Sequence, residues 1–119
     1  GVQKLQMHFR DPQERQRQLK EFPERFPELM MTTSIPTNIE INSMGANKGA
    51  ALRGLCAYLG IDPADTVAFG DGSNDISMLR EAGVGVAMAN AEPEVKAAAD
   101  VVTDSNNDAG VAKMIRKLI

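Results

Sequence analysis

The sequence predicts an α/β protein made of half of a Rossmann-like parallel-sheet core and a small α+β unit. Residues 4–10 alternate strictly between polar and apolar side chains, which indicates a strand with one buried face. After Gly45 the apolar runs no longer alternate and are separated by helical patterns, as in a parallel sheet covered on both faces. This change of pattern predicts two domains, residues 1–42 and 43–119.

Residues 1–42 are predicted to form a β-α-β-β unit with an antiparallel sheet, one face of which is exposed to solvent. Asp11 and Pro12 suit the cap and the first position of a helix, which Pro23 and Pro27 are expected to end. In chain order, the predicted elements are a strand over 4–10, the helix from Pro12, a strand over 29–35 and a strand through 39–41.

Residues 43–119 alternate between helices and short apolar strands. Asn47 is predicted to cap the first helix, and Gly60 is predicted to end it. The later predicted elements are a strand over 66–69, a helix over 75–82, a strand over 84–88, a helix over 93–99, a strand over 101–102 and a helix over 108–118. In open α/β sheets of this kind, ligands bind at the carboxyl ends of the strands.

Composition and charge argue against several classes of protein. A net charge of −3 provides no basic face for a nucleic-acid backbone. No apolar run approaches the roughly 20 residues that span a bilayer, and no signal-peptide pattern is present. Cys56 is the single cysteine, so a reducing cytoplasm is the expected location. Because the chain begins with Gly1 and runs directly into strand-like sequence, we expect it to be a fragment of a longer protein.

The segment Gly70–Asp75 reads Gly-Asp-Gly-Ser-Asn-Asp and lies where a predicted strand ends and a helix begins. Asp71 and Asp75 would repel each other at such a turn unless a cation or a shared proton offsets their charges. Mg²⁺ prefers oxygen ligands and takes one or two protein carboxylates with water and phosphate oxygens. We therefore predict a magnesium site here, in preference to an ordinary Asp-Gly turn followed by a helix cap.

Lys48 lies in the first turn of its predicted helix, where the positive end of the helix dipole disfavours a cation. An ammonium group suits that position when an anion is bound, because helix N–H groups and a lysine together form a phosphate site. Taken alone, Lys48 fits a solvated surface lysine better. Beside a magnesium site on the same sheet, the phosphate interpretation is favoured.

Residues 47–52 (Asn-Lys-Gly-Ala-Ala-Leu) and 67–79 (Val-Ala-Phe-Gly-Asp-Gly-Ser-Asn-Asp-Ile-Ser-Met-Leu) resemble the third and fourth motifs of Cof-type phosphatases of the haloacid dehalogenase (HAD) superfamily. Residues 82–91 look like the continuation typical of that group. Residues 1–42 are similar to the last β-α-β-β unit of its cap domain. The resemblance implies a partial cap at 1–42, the carboxyl-terminal half of the HAD core at 43–119, and Mg²⁺-dependent hydrolysis of small phosphate monoesters such as sugar phosphates.

Matching the motifs residue by residue implies a role for each position. Lys48 would hold phosphoryl oxygens and developing charge, and Asn74 would bind the substrate phosphate. Asp71 would be a direct magnesium ligand, and Asp75 a further carboxylate on the metal side, acting directly or through water. In this family an aspartate attacks phosphorus, and water then hydrolyses the aspartyl-phosphate with a second aspartate as acid and base.

The sequence departs from the family pattern because it contains no Asp-x-Asp-Gly-Thr segment, which would supply the nucleophile and the acid/base. We therefore expect the isolated chain to be inactive. The strand at 66–69 would also lack a neighbour, so we expect the chain to dimerise, aggregate or pair with a missing amino-terminal half.

Two other interpretations remain. The chain could be a non-enzymatic binding module that needs a partner half. It could also belong to the phosphorylation domain of a cation-pumping ATPase, which shares Gly-Asp-Gly-x-Asn-Asp. The spacing from Lys48 to Asp71 and the lack of an apolar span after Asp75 disfavour the pump.

Overall fold

The computed structural model describes residues 4–119 and divides the chain into two compact units. The first unit ends at Asn47 and the second is Lys48–Ile119. The sequence pattern predicts the boundary between the two domains at residues 42 and 43. In the structure the first unit extends further, because the N–H of Met44 donates to the carbonyl of Glu28 and keeps that segment with the sheet.

The first unit is an antiparallel sheet with one helix. Its elements are β1 (Leu5–His8), α1 (Pro12–Arg25), β2 (Leu29–Thr32) and β3 (Asn38–Ser43). Strand β3 is central, in the order β1-β3-β2, and its Ile39 and Ile41 are buried. The predicted β-α-β-β order is confirmed, and so is the helix cap, because Asp11 accepts a 2.9 Å hydrogen bond from the N–H of Gln13.

Several predicted boundaries in this unit were wrong, including that of β1, which covers Leu5–His8 instead of residues 4–10. Helix α1 passes through Pro23 and ends at Arg25, because Pro27 disfavours helical backbone at the residue before it, Phe26. Strand β2 ends at Thr32 instead of residue 35. The Oδ1 of Asn38 accepts the N–H groups of Ser34 and Ile35 at 3.0 and 3.1 Å, which turns the chain away from the ladder.

The second unit is a parallel sheet with helices. Its elements are α2 (Lys48–Leu59), β4 (Val67–Gly70), α3 (Ile76–Glu81), β5 (Val84–Ala87), α4 (Pro93–Ala98), β6 (Val101–Val102) and α5 (Gly110–Leu118). The strand order is β4-β5-β6 with both pairs parallel, so the predicted α/β class is confirmed. Its core comprises Ala68, Leu79, Ala87, Ala91 and Val95.

The helices of this unit begin later than predicted in two places. A short 3₁₀ turn at Ser73–Asp75 precedes α3, which starts at Ile76. The last helix starts at Gly110 instead of residue 108, because Ala109 adopts a left-handed backbone with φ of 57° that a continuous helix cannot contain. Within residues 4–119, no helix combines the length and the apolar composition needed to cross a membrane.

Candidate active site

The carboxyl ends of β4 and β5 lie side by side. Gly70 and Ala87 are register partners in the parallel pair, and the N–H of Met88 donates to the carbonyl of Gly70 at 3.0 Å. Asp71 therefore leaves the sheet beside the segment that follows β5. This is the edge at which open α/β sheets bind ligands.

The turn after β4 is organised by the carboxylate of Asp75. Its Oδ2 accepts hydrogen bonds from the N–H groups of Asp71 and Gly72 at 3.0 and 3.1 Å. A Cβ at Gly70 would lie 2.5 Å from the Cβ of Asp75, so glycine is required for this close approach. The turn thus buries Asp75 and leaves Asp71 exposed.

Lys48 reaches the same carboxylate from a different element. It is the first residue of α2, and its Nζ forms an ion pair with Oδ1 of Asp75. Helix α2 packs closely on α3, since the N–H of Gly49 donates to Oγ of Ser77 at 3.1 Å. A Cβ at Gly49 would lie 2.6 Å from the Ser77 carbonyl oxygen, so the glycine permits this packing and brings Lys48 to the turn.

The charge of Asp75 is stabilised despite its burial. Burial alone would raise the pKa of the Asp75 carboxyl, but hydrogen bonds from Lys48 and from the N–H groups of Gly72 and Asp71 outweigh it. The pKa is therefore held below its ordinary value. Asp75 is a fixed anion that orders both the turn and the lysine.

An open cavity of about 450 Å³ lies at this edge of the second unit and brings most of the predicted residues together. Lys48, Asp71 and Asp75 all line it, with the apolar side chains of Phe69 and Met88 among its other walls. Asn74, the fourth predicted residue, lies half-buried in the turn and is not among the described residues that line the cavity.

The donor set suits one part of a magnesium site. Asp71 offers an exposed carboxylate, and Mg²⁺ commonly binds through one or two protein carboxylates with water and phosphate oxygens. Both oxygens of Asp75 are already engaged by Lys48 and by backbone N–H groups. Over residues 4–119, no three acidic, histidine or cysteine side chains form a group that could hold a metal ion. Asp71 can therefore supply one ligand to a metal ion whose remaining ligands come from other groups.

Asn90 is a site residue that the sequence analysis did not single out. Its Nδ2 donates to Oδ2 of Asp71 at 3.2 Å, and its Oδ1 accepts the N–H of Asn106 at 3.1 Å. A signal was present in the sequence, because Asn90 lies in the loop after β5, at the same edge of the sheet as Asp71 after β4.

Two curated relatives are phosphatases. The chain is 53% identical over 89 residues to the 5-amino-6-(5-phospho-D-ribitylamino)uracil phosphatase of Bacillus subtilis, a match that covers 75% of this chain and 36% of that protein. It is 52% identical over 79 residues to a phosphoglycolate phosphatase of Methanopyrus kandleri, over 66% of this chain and 34% of the relative. The chain thus spans about a third of the length of these relatives.

A solved structure and a family profile agree with these relatives. The structure of a sugar phosphatase of HAD subclass IIB superposes with a TM-score of 0.89 at 32% identity, over 98% of this chain and 43% of that one. The profile of the haloacid dehalogenase-like hydrolases matches residues 2–115. The resemblance found in the motifs is confirmed, and the chain belongs to the haloacid dehalogenase-like hydrolase family.

Proposed function

We propose that the complete protein containing this chain (the parent protein) is a Cof-type phosphatase that hydrolyses small phosphate monoesters with Mg²⁺. One observation carries the proposal: an ammonium group and an exposed carboxylate, Lys48 and Asp71, line one cavity at the carboxyl edge of the sheet. A phosphate ester held with a divalent cation needs both kinds of group.

Lys48 binds the phosphoryl oxygens. An ammonium group has three donors, and one is directed to Asp75, so the other two are available to an anion. The start of α2 adds the positive end of a helix dipole at the same place. The pairing with Asp75 also holds the flexible lysine side chain in one orientation before the substrate arrives, which reduces the entropy lost on binding. The resemblance to the family's fourth motif further implies that Asn74, in the turn between Asp71 and Asp75, contributes a hydrogen bond to the phosphate.

Asp71 is the direct metal ligand. Asp75 supports the metal site indirectly, because its hydrogen bonds hold the backbone of the turn that carries Asp71. When bound, Mg²⁺ would offset negative charge on the phosphoryl oxygens. Because the N–H groups of Asp71 and Gly72 are tied to Asp75, the Asp71 side chain leaves the turn from a fixed backbone.

The attacking group comes from outside this chain. The 119 residues contain no Asp-x-Asp-Gly-Thr segment, so the aspartate that forms the aspartyl-phosphate, and the acid/base aspartate, belong to another part of the parent protein. We accordingly propose that the isolated chain is inactive and that β4, an edge strand among the described residues, pairs with that missing part or with a second copy.

The substrate is a small, soluble metabolite phosphate. The named relatives act on a phosphoribitylamino-uracil and on phosphoglycolate, and a solved relative is a sugar phosphatase. These share a phosphate group and differ in the rest of the molecule. This difference fits a phosphate site in the second unit, with the first unit acting as part of a cap that selects the rest of the substrate.

The test is phosphate release by the parent protein from a panel of metabolite phosphates, with Mg²⁺ and with a chelator. We expect release that depends on Mg²⁺ and that Lys48→Ala reduces by roughly 10²–10³-fold, the usual loss of one group that stabilises transition-state charge. Lys20→Ala, a change at an exposed lysine of α1, is the matched control. A parent protein that releases phosphate from none of the panel would overturn the proposal.

A further inference from the structure

Asn90 joins three loops at the carboxyl edge of the parallel sheet. Its amide nitrogen donates to Oδ2 of Asp71, in the loop after β4, and its amide oxygen accepts from the N–H of Asn106, in the segment that leads to α5. Asn90 itself belongs to the loop after β5. One side chain thus ties the loop that carries Asp71 to the two loops beside it.

The backbone under Asn90 is anchored although its side chain is exposed. Met88 and Ala91, on either side, are each 5% exposed, and the N–H of Ala91 donates to the Met88 carbonyl at 2.9 Å. The N–H of Ala89 is directed to the carbonyl of Asp104 at 3.4 Å. Because this turn is held on both sides, the amide is presented to Asp71 from a defined position.

An amide suits this position better than a charged group. A primary amide donates through nitrogen and accepts through oxygen, and both functions are used here. A lysine or arginine in its place would neutralise the Asp71 carboxylate and compete with a bound cation. The neutral donor fixes the orientation of the carboxylate and leaves its charge available, as hydrogen bonds to metal-ligating carboxylates generally do.

We propose that Asn90 is a positioning residue for Asp71, which sets the orientation of the carboxylate toward a divalent cation. The inference rests on the proposed function of Asp71 as a magnesium ligand. It predicts that loss of the amide weakens the affinity for Mg²⁺ and leaves catalysis nearly intact once the site is saturated, because the ligand itself is still present.

The experiment compares Asn90→Ala and Asn90→Ser in the parent protein with Asn107→Ala, a change at an exposed asparagine of the neighbouring segment. Calorimetric titration with MgCl₂ gives the Kd without substrate, and phosphate release at increasing Mg²⁺ gives activity at saturation. We expect the Kd to rise roughly 10–100-fold in both Asn90 variants, as on loss of other groups that hold a metal ligand. We expect Asn107→Ala to stay within about twofold, as surface changes usually do.

The outcomes separate this inference from the proposed function. A Mg²⁺ Kd unchanged in folded Asn90 variants overturns the inference, and so does a loss of activity that saturating Mg²⁺ does not restore. A parent protein that binds no Mg²⁺ overturns it as well. If the wild type binds Mg²⁺ and the Asn90 variants bind it more weakly, but no substrate is hydrolysed, the inference holds and the proposed function fails. Thermal melting of each variant with a chelator shows that it is folded, and Asn90→Ser provides a second variant if Asn90→Ala does not fold.

Discussion

Lys48 and Asp75, separated by 27 positions in the chain, form an ion pair in which the lysine side chain is 50% exposed and the aspartate side chain 7% exposed. This asymmetry defines their roles. Asp75 is held on three sides, by Lys48 and by two backbone N–H groups of its own turn. Lys48 remains open to the cavity, so it can bind an anion while Asp75 fixes its position.

The first prediction concerns the energy of this pair. Lys48→Met leaves a buried carboxylate that keeps only its backbone donors. Because half of the lysine side chain is exposed, solvent weakens the attraction between the two charges in the wild type. We therefore expect a loss of about 1–2 kcal/mol in the free energy of unfolding, between the values for exposed and buried pairs. In a double-mutant cycle with Asp75→Asn, measured by urea unfolding, we expect a coupling of about 1 kcal/mol. Additive effects of the two changes would show that the pair is not formed in solution.

The second prediction concerns acid sensitivity. Asp75 has a pKa below its ordinary value in the folded protein, so it binds protons more readily when unfolded. Its stabilising contribution is therefore present above the unfolded pKa of about 4 and is lost as pH falls through the lower folded pKa. The unfolding free energy of Asp75→Asn should fall less steeply than that of the wild type from about pH 4 downwards. If the free energy of unfolding falls equally steeply below pH 4 in the two proteins, the pKa of Asp75 is not lowered in the folded state.

The third prediction compares two glycines of α2. A Cβ at Gly49 would meet the Ser77 carbonyl oxygen at 2.6 Å, whereas nothing lies within 4 Å of a Cβ at Gly54. Gly49→Ala should therefore destabilise the protein by about 1–3 kcal/mol, as overpacking does. Gly54→Ala should stabilise it by about 0.5–1 kcal/mol, because alanine restricts the unfolded chain and favours helix. Thermal unfolding of the two variants checks the contrast, and a shift of both in the same direction would refute the packing of α2 on α3.

The fourth prediction concerns the first unit. Glu40 is 6% exposed in the central strand, pairs with Lys4 at 2.6 Å and accepts the hydroxyl of Ser34 at 2.7 Å. The hydrogen bonds from Lys4 and then from Ser34 lower the pKa of Glu40 against the effect of burial.

Glu40→Gln should therefore destabilise this unit by about 1–2 kcal/mol near neutral pH, because a charged acceptor is lost. The effect should shrink as pH falls through the folded pKa of Glu40, where the wild-type carboxylate is itself protonated. Urea unfolding at several pH values gives the measurement, with the exposed Glu24→Gln of α1 as the control. A Glu40 variant as stable as the control variant would contradict the interpretation.

The elements and the motif positions were predictable because they depend on local patterns. The apolar runs at β4 and β5 and the glycines on either side of Asp71 are sufficient to place Asp71 at the carboxyl edge of a parallel sheet. The position of Lys48 at the start of α2 likewise follows from helical spacing. These predictions needed only side-chain periodicity and turn chemistry.

The pairings within the site were not predictable, because they depend on how elements pack. Nothing local to Asp75 indicates that its carboxylate meets Lys48, since that contact requires α2 to pack on α3 through Gly49. The bond from Asn90 to Asp71 similarly depends on the registration of β4 with β5. Pro23 was expected to end α1 because a proline removes one helical N–H donor, yet the helix contains Pro23 and continues to Arg25.

We propose that one phosphate is held between the ammonium group of Lys48 and a cation bound to Asp71. Crystals of the parent protein grown with MgCl₂ and inorganic phosphate provide the decisive measurement. We expect electron density for a phosphate in hydrogen-bond contact with Nζ of Lys48, and for a metal ion coordinated by the Asp71 carboxylate and a phosphate oxygen. Phosphate bound at another site, with Lys48 directed away from it, would show that the proposed phosphate site is wrong.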